Sequence, residues 1–134
     1  MAASYRRSPA APPDADGGVT VHLHPSTVAV VFERGPGRVL VQVHGEIDME
    51  DASALRGDLV PALRAARTGL DVDLSQVTFC DSSGLDVLLY VNRLAAETGK
   101  SLVLTALSRP VARLLDLTGT LEVFAVRDGP VSAA

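Results

Sequence analysis

Residues 77–90, with the sequence VTFCDSSGLDVLLY, contain the transition that decides the fold. An apolar run ends at Cys80, and after the polar residues Asp81, Ser82 and Ser83 the leucines recur at helical spacing. Asp81 or Ser82 is expected to cap this helix, because a side-chain oxygen there accepts hydrogen bonds from the unpaired N–H groups of the first turn. The segment therefore predicts a strand that turns directly into a helix, with two hydroxyl groups at the junction.

Strand and helix patterns alternate on both sides of this junction. Period-2 alternation predicts a strand at 19–23, and Gly35-Pro36-Gly37 predicts an antiparallel hairpin between strands at 28–32 and 39–43. A helix is expected after Asp48, with a kink or a late start near Pro61 and with Gly69 as its terminator. The remaining expected elements are strands at 70–74, 101–105 and 121–126, and a helix from its cap Ser108 to Gly119.

The order of these elements predicts a single α/β domain. Its mixed, largely parallel β-sheet begins with an antiparallel hairpin, and its helices pack against the sheet. Residues 1–18 are expected to form a disordered tail, 19–27 an extra strand and linker, 28–127 the domain, and 128–134 a short C-terminal tail. The extra strand could lengthen the sheet edge or support weak self-association, and the residues do not choose between these roles.

Composition narrows the classes of function. Of 134 residues, 47% are hydrophobic and only 4% are aromatic, while 16 acidic and 12 basic residues give a net charge of −4. Few aromatic stacking platforms and no basic excess argue against nucleic-acid binding. Cys80 is the only cysteine, which excludes an intrachain disulfide and fits a reducing compartment. No apolar run approaches the roughly 20 residues that span a bilayer, so a cytoplasmic protein without membrane contacts is expected.

The candidate catalytic groups lack the partners that catalysis needs. Ser82 lies at a strand-to-helix turn, but the Gly-x-Ser-x-Gly pattern is absent and only His44 could approach it as a base. His22 and His24 occupy alternating strand positions without a third ligand, which is a poor arrangement for zinc. Neither glycine-rich nucleotide fingerprint is present. We therefore expect no enzymatic activity, no cofactor and no metal site.

Four blocks occur in an order that resembles a known family. They are Gly45-Glu46-Ile47-Asp48, Asp73-Leu74-Ser75, Asp81-Ser82-Ser83-Gly84 and the stretch from Ser108 to Gly119. Together they resemble a STAS domain of the anti-sigma factor antagonist type, over roughly Val28 to Val126. A lone Asp-Ser-Ser-Gly would be weak evidence, whereas four ordered blocks are specific. The resemblance implies a single STAS-like domain with the α/β architecture described above.

The resemblance also implies a binding protein whose partner is an anti-sigma factor with serine kinase activity. Mg-ATP would belong to that kinase, the phosphorylated serine maps onto Ser82, and a phosphatase would reverse the modification. Asp48 matches the acidic residue near this serine but could equally be a helix cap, and Gly84 could admit the partner's backbone or satisfy a packing requirement. The implied partner-binding residues are Asp48, Asp81, Ser82, Ser83, Gly84, Leu85 and Asp86. The alternative is a STAS interaction module of a transport or signalling complex, with Ser82 only a helix cap.

Overall fold

The structure, a computed structural model, describes residues 18–24 and 28–127. In chain order its elements are β1 (Val19–Leu23), β2 (Ala29–Arg34), β3 (Arg38–Ile47), α1 (Met49–Ala65), β4 (Gly69–Cys80), α2 (Ser82–Glu97), β5 (Ser101–Leu107), α3 (Arg109–Thr118) and β6 (Ala125–Val126). A 3₁₀ turn at Leu121–Val123 precedes β6. The predicted tails at 1–18 and 128–134, apart from Gly18, lie outside the described residues, as do positions 25–27 of the predicted linker.

The strands form one sheet in the order β1-β2-β3-β4-β5-β6. β1, β2 and β3 pair antiparallel, and β3 to β6 pair parallel. The reversal between β2 and β3 occurs at Gly35-Pro36-Gly37, where Gly37 has φ 89° and the Gly35 N–H donates to the Arg38 carbonyl at 2.8 Å. Glycine adopts this backbone conformation without the steric cost that a side chain would impose. The predicted mixed sheet with an initial antiparallel hairpin is confirmed, and within the described residues β1 and β6 are its two edge strands.

Aliphatic side chains from the sheet and the three helices form one core. Alternate residues along β2 and β3 are buried, as the period-2 pattern of half-buried strands requires. On α1, the leucines at helical spacing, Leu55, Leu59 and Leu63, are all buried. Burying each such side chain contributes about 1.5–3 kcal/mol. This packing holds the helices, and therefore their N-termini, in fixed positions against the sheet.

Two predicted boundaries are wrong, and one alternative is excluded. The helix expected after Asp48 begins at Met49 and continues through Pro61, so the late start near Pro61 does not occur. A capping box at Asp48 starts the helix, and buried leucines hold it on both sides of the proline. The helix cap at its C-terminus is Ala66, whereas Gly69, with φ 145°, opens β4. Only Ala125–Val126 of the predicted strand at 121–126 pairs with β5, because the preceding residues form the 3₁₀ turn.

β4 is one continuous strand that joins the predicted strand at 70–74 to the apolar run ending at Cys80, and its length positions the site. Pairing of β4 with β5 ends at Leu74, whereas pairing with β3 continues to the contact between Ile47 and Cys80. At about 3.3 Å per residue, Cys80 lies roughly 20 Å beyond Leu74 along the strand. The carboxyl ends of β3 and β4 therefore project together beyond the end of β5.

Candidate partner-binding site

Two helix N-termini meet at the carboxyl ends of β3 and β4. Ile47 and Cys80, the last residues of these strands, are paired in parallel register, and the Asp81 N–H donates to the Ile47 carbonyl at 3.2 Å. Neighbouring strands lie about 4.8 Å apart. Asp48 and Asp81, the next residue after each strand, therefore begin α1 and α2 side by side.

Asp48 is the cap of α1. Its Oδ1 accepts hydrogen bonds from the N–H groups of Glu50 at 3.0 Å and Asp51 at 3.1 Å. The Asp51 carboxylate in turn accepts from the Asp48 N–H at 3.5 Å. These hydrogen bonds, the one from the Asp51 backbone foremost, lower the pKa of the exposed Asp48 carboxyl. The capping role is confirmed, and the same carboxylate presents a negative charge at the surface.

Asp81, and not Ser82, is the cap of α2. Its Oδ1 accepts from the Ser83 N–H at 2.9 Å and from the Gly84 N–H at 3.4 Å. Ser82 is the first helical residue and is exposed, and its hydroxyl makes no hydrogen bond within the described ranges. The interpretation of Ser82 as a helix cap is therefore wrong. Its hydroxyl is free to react or to contact a partner without disturbing the helix start.

Gly84 is buried, and of its two expected roles the structure supports the packing requirement, because there is no room for a side chain at this position. A Cβ added at Gly84 would lie 2.6 Å from the Cys80 Sγ and 2.9 Å from the Ile47 Cγ2, and both distances are far shorter than van der Waals contact. Leu85 is only 5% exposed and belongs to the core. These two residues pack α2 against β3 and β4, and neither presents an accessible side chain to a partner in this structure.

The remaining predicted contact residues form an acidic surface around Ser82. Asp86 is exposed, and Ser83 and Asp81 are half-buried. With Asp48 and Ser82 they are the members of the predicted set that are at least partly accessible. We call these five residues, Asp48, Asp81, Ser82, Ser83 and Asp86, the acidic surface.

Two apolar side chains next to this surface were missed by sequence reasoning. Met49, which follows the cap Asp48, is 74% exposed, and Phe79, two residues before Asp81, is 47% exposed. Gly45 pairs with Val77, but the next residue of β3, Glu46, pairs with Phe79, which leaves one extra residue on β4 between Val77 and Phe79. This extra residue breaks the alternation of buried and exposed positions, and Phe79 is exposed as a result. The break in alternation between Val77 and Cys80 was the signal that could have revealed it.

The groups that could support nucleophilic chemistry are not assembled at Ser82. Burial, with the nearby Asp81 charge, raises the pKa of the Cys80 thiol to about 12, so the thiol stays protonated and unreactive at neutral pH. His44 lies within β3, paired with Ala29 and Gln76, and it forms no hydrogen bond with Ser82. The arrangement at Ser82 is suited to presenting a hydroxyl and fixed charges to another molecule.

His22 and His24 form a cluster with a residue that the sequence pattern does not indicate. The His22 Nδ1 lies 2.7 Å from one carboxylate oxygen of Asp58, and the His24 Nε2 lies 2.6 Å from the other. Asp58 is on α1 and is 8% exposed, so the cluster fastens β1 to that helix.

Among residues 18–24 and 28–127, no group of three or more potential ligands has an arrangement that could hold a metal ion. Across the same ranges, every helix is too short or too polar to cross a bilayer.

Comparisons with known proteins agree with the fold and the sequence blocks. The family described as "Mlab, STAS domain" matches residues 30–124. The anti-sigma-B factor antagonist of Bacillus subtilis is 35% identical over 96 residues, covering 72% of this chain and 87% of that protein. The chain is therefore a STAS-domain protein, and β1 lies outside the matched region.

Solved structures give the same result. The crystal structure of an anti-sigma factor antagonist from Mycobacterium paratuberculosis has a TM-score of 0.66 and 31% identity, covering 78% of this chain and 89% of that one. The anti-sigma factor antagonist SpoIIAA, solved in its unphosphorylated form, shares the fold with a TM-score of 0.62 and 19% identity, covering 72% of this chain and 86% of that one. This chain belongs to the anti-sigma factor antagonist family of STAS-domain proteins.

Proposed function

We propose that this protein acts in the cytoplasm as an anti-sigma factor antagonist that is switched at Ser82. In the unphosphorylated state its acidic surface binds an anti-sigma factor that is also a serine kinase. Phosphorylation of Ser82 by that kinase releases the partner, and a separate phosphatase restores the binding state. The observation that carries the proposal is the exposed Ser82 hydroxyl, unbonded within the described part of the chain, at the start of a helix that Asp81 caps.

Accessibility distinguishes the two serines. Ser82 is exposed, whereas Ser83 is half-buried and its N–H is bonded to Asp81. A kinase must draw the acceptor hydroxyl into its own active site, which an exposed residue allows with little change in the surrounding fold. Ser82 is therefore the proposed acceptor.

The charges around Ser82 explain how one phosphate could release a partner. A phosphoserine adds about −1.5 to −2 charges and three acceptor oxygens. The helix N-terminus partly accommodates this charge, but Asp81 already accepts the Ser83 and Gly84 N–H groups, and Asp48 begins the neighbouring helix. In water these like charges are screened. Beneath a bound partner they would lose that screening, and each loss of about 1.4 kcal/mol weakens binding tenfold.

The exposed apolar residues extend the proposed contact surface. Met49 and Phe79 lie next to the two caps and offer side chains that a partner could bury. A well-packed apolar centre usually supplies most of the binding energy, while charged rims set orientation and association rate. We therefore expect the partner to bring an apolar contact for Met49 and Phe79 and basic groups for the acidic surface.

The proposal is tested by three variants titrated calorimetrically against the cognate anti-sigma factor. Ser82→Ala is expected to bind like the wild type, whereas Ser82→Asp is expected to bind at least about tenfold more weakly. Gln76→Glu is the matched control, because it adds the same charge at an exposed position roughly 13 Å before the end of β4, beyond the screening length of about 10 Å. Wild-type affinity of Ser82→Asp, or equal weakening by Gln76→Glu, would refute the switch.

Incubation with the partner and ATP tests the acceptor itself. Peptide mass spectrometry should find a single phosphate on Ser82, which Ser83→Ala retains and Ser82→Ala loses. A phosphate that persists in Ser82→Ala would move the assignment to another residue.

A further inference from the structure

β1 is an edge strand, and in the described part of the chain nothing pairs with its outer side. On its inner side it pairs with β2, and it lies before residue 30, where the family match begins. The opposite edge strand, β6, has only two residues, whereas β1 has five. A strand of this length leaves a row of backbone groups open to another strand.

Alternate residues of β1 direct their backbone N–H and C=O groups away from β2. They are Val19, Val21 and Leu23. The direction follows from His24, whose N–H donates to the Val28 carbonyl at 3.1 Å, because hydrogen-bonded pairs alternate with non-hydrogen-bonded pairs along an antiparallel ladder. Counting back from His24, His22 and Thr20 bond to β2, and the residues that alternate with them point outward.

The β2–β3 turn gives an independent check of this direction. The Gly35 N–H donates to the Arg38 carbonyl at 2.8 Å, so every second residue of β2, counted back from Gly35, bonds to β3. The residues that alternate with these, Val30 and Phe32, therefore bond to β1. They are the partners of His22 and Thr20 in the β1–β2 register, as the first count requires.

The open side of β1 lacks the features that usually keep edge strands apart. Natural edges are blocked by charged side chains, proline, bulges or very short strands. β1 has the sequence Val-Thr-Val-His-Leu, with no proline, no acidic residue, no lysine and no arginine, and its register with β2 is unbroken. Its outward-pointing residues also carry apolar side chains that are each more than half exposed. These side chains lie on the face of the sheet opposite His22, which contacts α1.

β1 is held in position on its inner face. His22 and His24 both contact the buried Asp58 carboxylate of α1, at 2.7 and 2.6 Å. The open edge is therefore preorganised, and pairing with another strand would not have to order the backbone of β1.

We propose that β1 pairs antiparallel with β1 of a second copy of this chain, centred on Val21. In this register Val21 lies opposite Val21, and Val19 lies opposite Leu23 of the other copy. Because these residues point outward, each pair exchanges two backbone hydrogen bonds. The same register places the exposed valine and leucine side chains of both copies next to one another on one face. The contact is the same on both copies and is closed by a twofold axis.

The charge pattern of β1 favours a second copy as the occupant of this edge. A strand that pairs with itself about its centre brings like residues together, so any fixed charge near that centre would lie close to a like charge. β1 has no such charge, and its apolar side chains meet apolar side chains. A charged segment of a different protein would find no opposite charge on this strand.

The size of the contact sets its strength. β1 offers five residues per copy, compared with roughly 20–30 residues on each side of a standard stable interface. We therefore expect a weak, reversible dimer with a dissociation constant of about 0.1 mM.

The dimer leaves the acidic surface of each copy accessible. β1 runs parallel to β3, because both are antiparallel to β2. The twofold axis reverses the strand direction in the second copy, so the carboxyl ends of β3 and β4, which carry the acidic surface, lie at opposite ends of the continuous sheet. Self-association is thus independent of the switch at Ser82, and either proposal can fail without the other.

Sedimentation velocity and amide hydrogen exchange of the full chain test the pairing. The chain is expected to be monomeric at about 10 µM and about 80% dimeric at about 1 mM, by mass action at the expected dissociation constant. Amide exchange of Val19, Val21 and Leu23 should be about fivefold slower at the higher concentration. An association through the apolar face of the sheet would leave these outward amides unprotected.

Charge reversal at Val21 tests the register. Val21→Lys and Val21→Glu should each raise the dissociation constant of the dimer at least about tenfold, because each places like charges opposite one another. An equimolar mixture of the two variants should associate again, because opposite charges then meet at the twofold axis. Leu117→Lys, at an apolar position of α3 that is 73% exposed, is the matched control and should dimerise like the wild type. Val21 is itself exposed, so the variants should melt close to the wild type at about 10 µM.

Four outcomes would overturn the proposal. One is a chain that stays monomeric up to about 1 mM, ten times the expected dissociation constant. Another is slow exchange of the outward amides that does not depend on concentration, which would show that another part of the same chain covers the edge. The third is a mixture of the two Val21 variants that associates no better than either alone. The last is a loss of dimer in Leu117→Lys as large as that in Val21→Lys.

Discussion

Gly84 gives the sharpest test of how the start of α2 is packed, and we expect Gly84→Ala to destabilise the protein. The new methyl carbon would lie 2.6 Å from the Cys80 Sγ and 2.9 Å from the Ile47 Cγ2. Both neighbouring side chains are buried in the core, which leaves them little room to move aside. Overpacking of this kind costs about 1–3 kcal/mol, while alanine recovers at most about 1 kcal/mol of helix propensity. The expected net loss is about 1–2 kcal/mol.

Gly57 supplies a matched control on α1. It is exposed, and a Cβ there would meet nothing within 4 Å. Gly57→Ala should therefore gain helix propensity without a clash and stabilise the protein by about 0.5–1 kcal/mol. The same substitution in two helices is thus expected to act in opposite directions.

Thermal melting and urea unfolding measure both effects. Gly84→Ala should melt about 4–8 °C below the wild type, and Gly57→Ala should melt above it. In a Cys80→Ala background the penalty of Gly84→Ala should shrink by at least about 0.5 kcal/mol, because one of the two clashing atoms is gone. A Gly84→Ala variant as stable as the wild type, or a penalty unaffected by Cys80→Ala, would refute the packing argument.

Three further predictions concern single groups. Asp58→Ala should loosen β1 and speed amide hydrogen exchange in β1 about tenfold, because His22 and His24 lose their shared carboxylate. Unchanged exchange would contradict the idea that this cluster fastens β1 to α1, and Glu97→Ala, at an exposed position, is the control. Cys80, with a thiol pKa raised to about 12, should react with iodoacetamide at pH 8 at least about a hundredfold more slowly in the native state than in urea; equal rates would show that the thiol is accessible and ionised. Hydrogen bonding lowers the pKa of the Asp48 carboxyl in the folded state, so the stabilisation of the fold by this ionised carboxyl is present above the unfolded pKa and is lost as pH falls through the folded pKa. The NMR titration midpoint of Asp48 should lie below the roughly 3.9 of free aspartate, and a midpoint at or above that value would contradict the capping geometry.

Much of the fold could be predicted because its causes are local. The turn chemistry of Gly35-Pro36-Gly37 and the alternation in β1 and β2 depend on residues close together in the chain. The start of α2 was located for the same reason, since a cap needs only its own first turn. The choice between Asp81 and Ser82 as cap could not be made, because both residue types cap well and the backbone conformation at this position decides between them.

The elements that failed depended on distant partners. The strand expected at 121–126 has the right residue types, but its pairing is limited to two contacts with β5, Val103 with Ala125 and Leu104 with Val126. The length of β4 likewise depends on how far β3 runs beside it. Strand propensity describes a suitable surface, and pairing with a neighbour determines whether and how far the strand forms.

By itself, the sequence determined the α/β class, the two places where a strand turns directly into a helix, and the serine that lies at the second of these junctions. Only the tertiary structure decided that Asp48 and Asp81 stand side by side, that Gly84 is required by the Cys80 and Ile47 side chains, and that Asp58 joins His22 to His24. It also brought Arg38 of β3 together with Asp71 of β4 and Ser101 of β5. Caps, turns and alternation follow from interactions within a few residues, whereas contacts between side chains distant in the chain exist only once the core has packed.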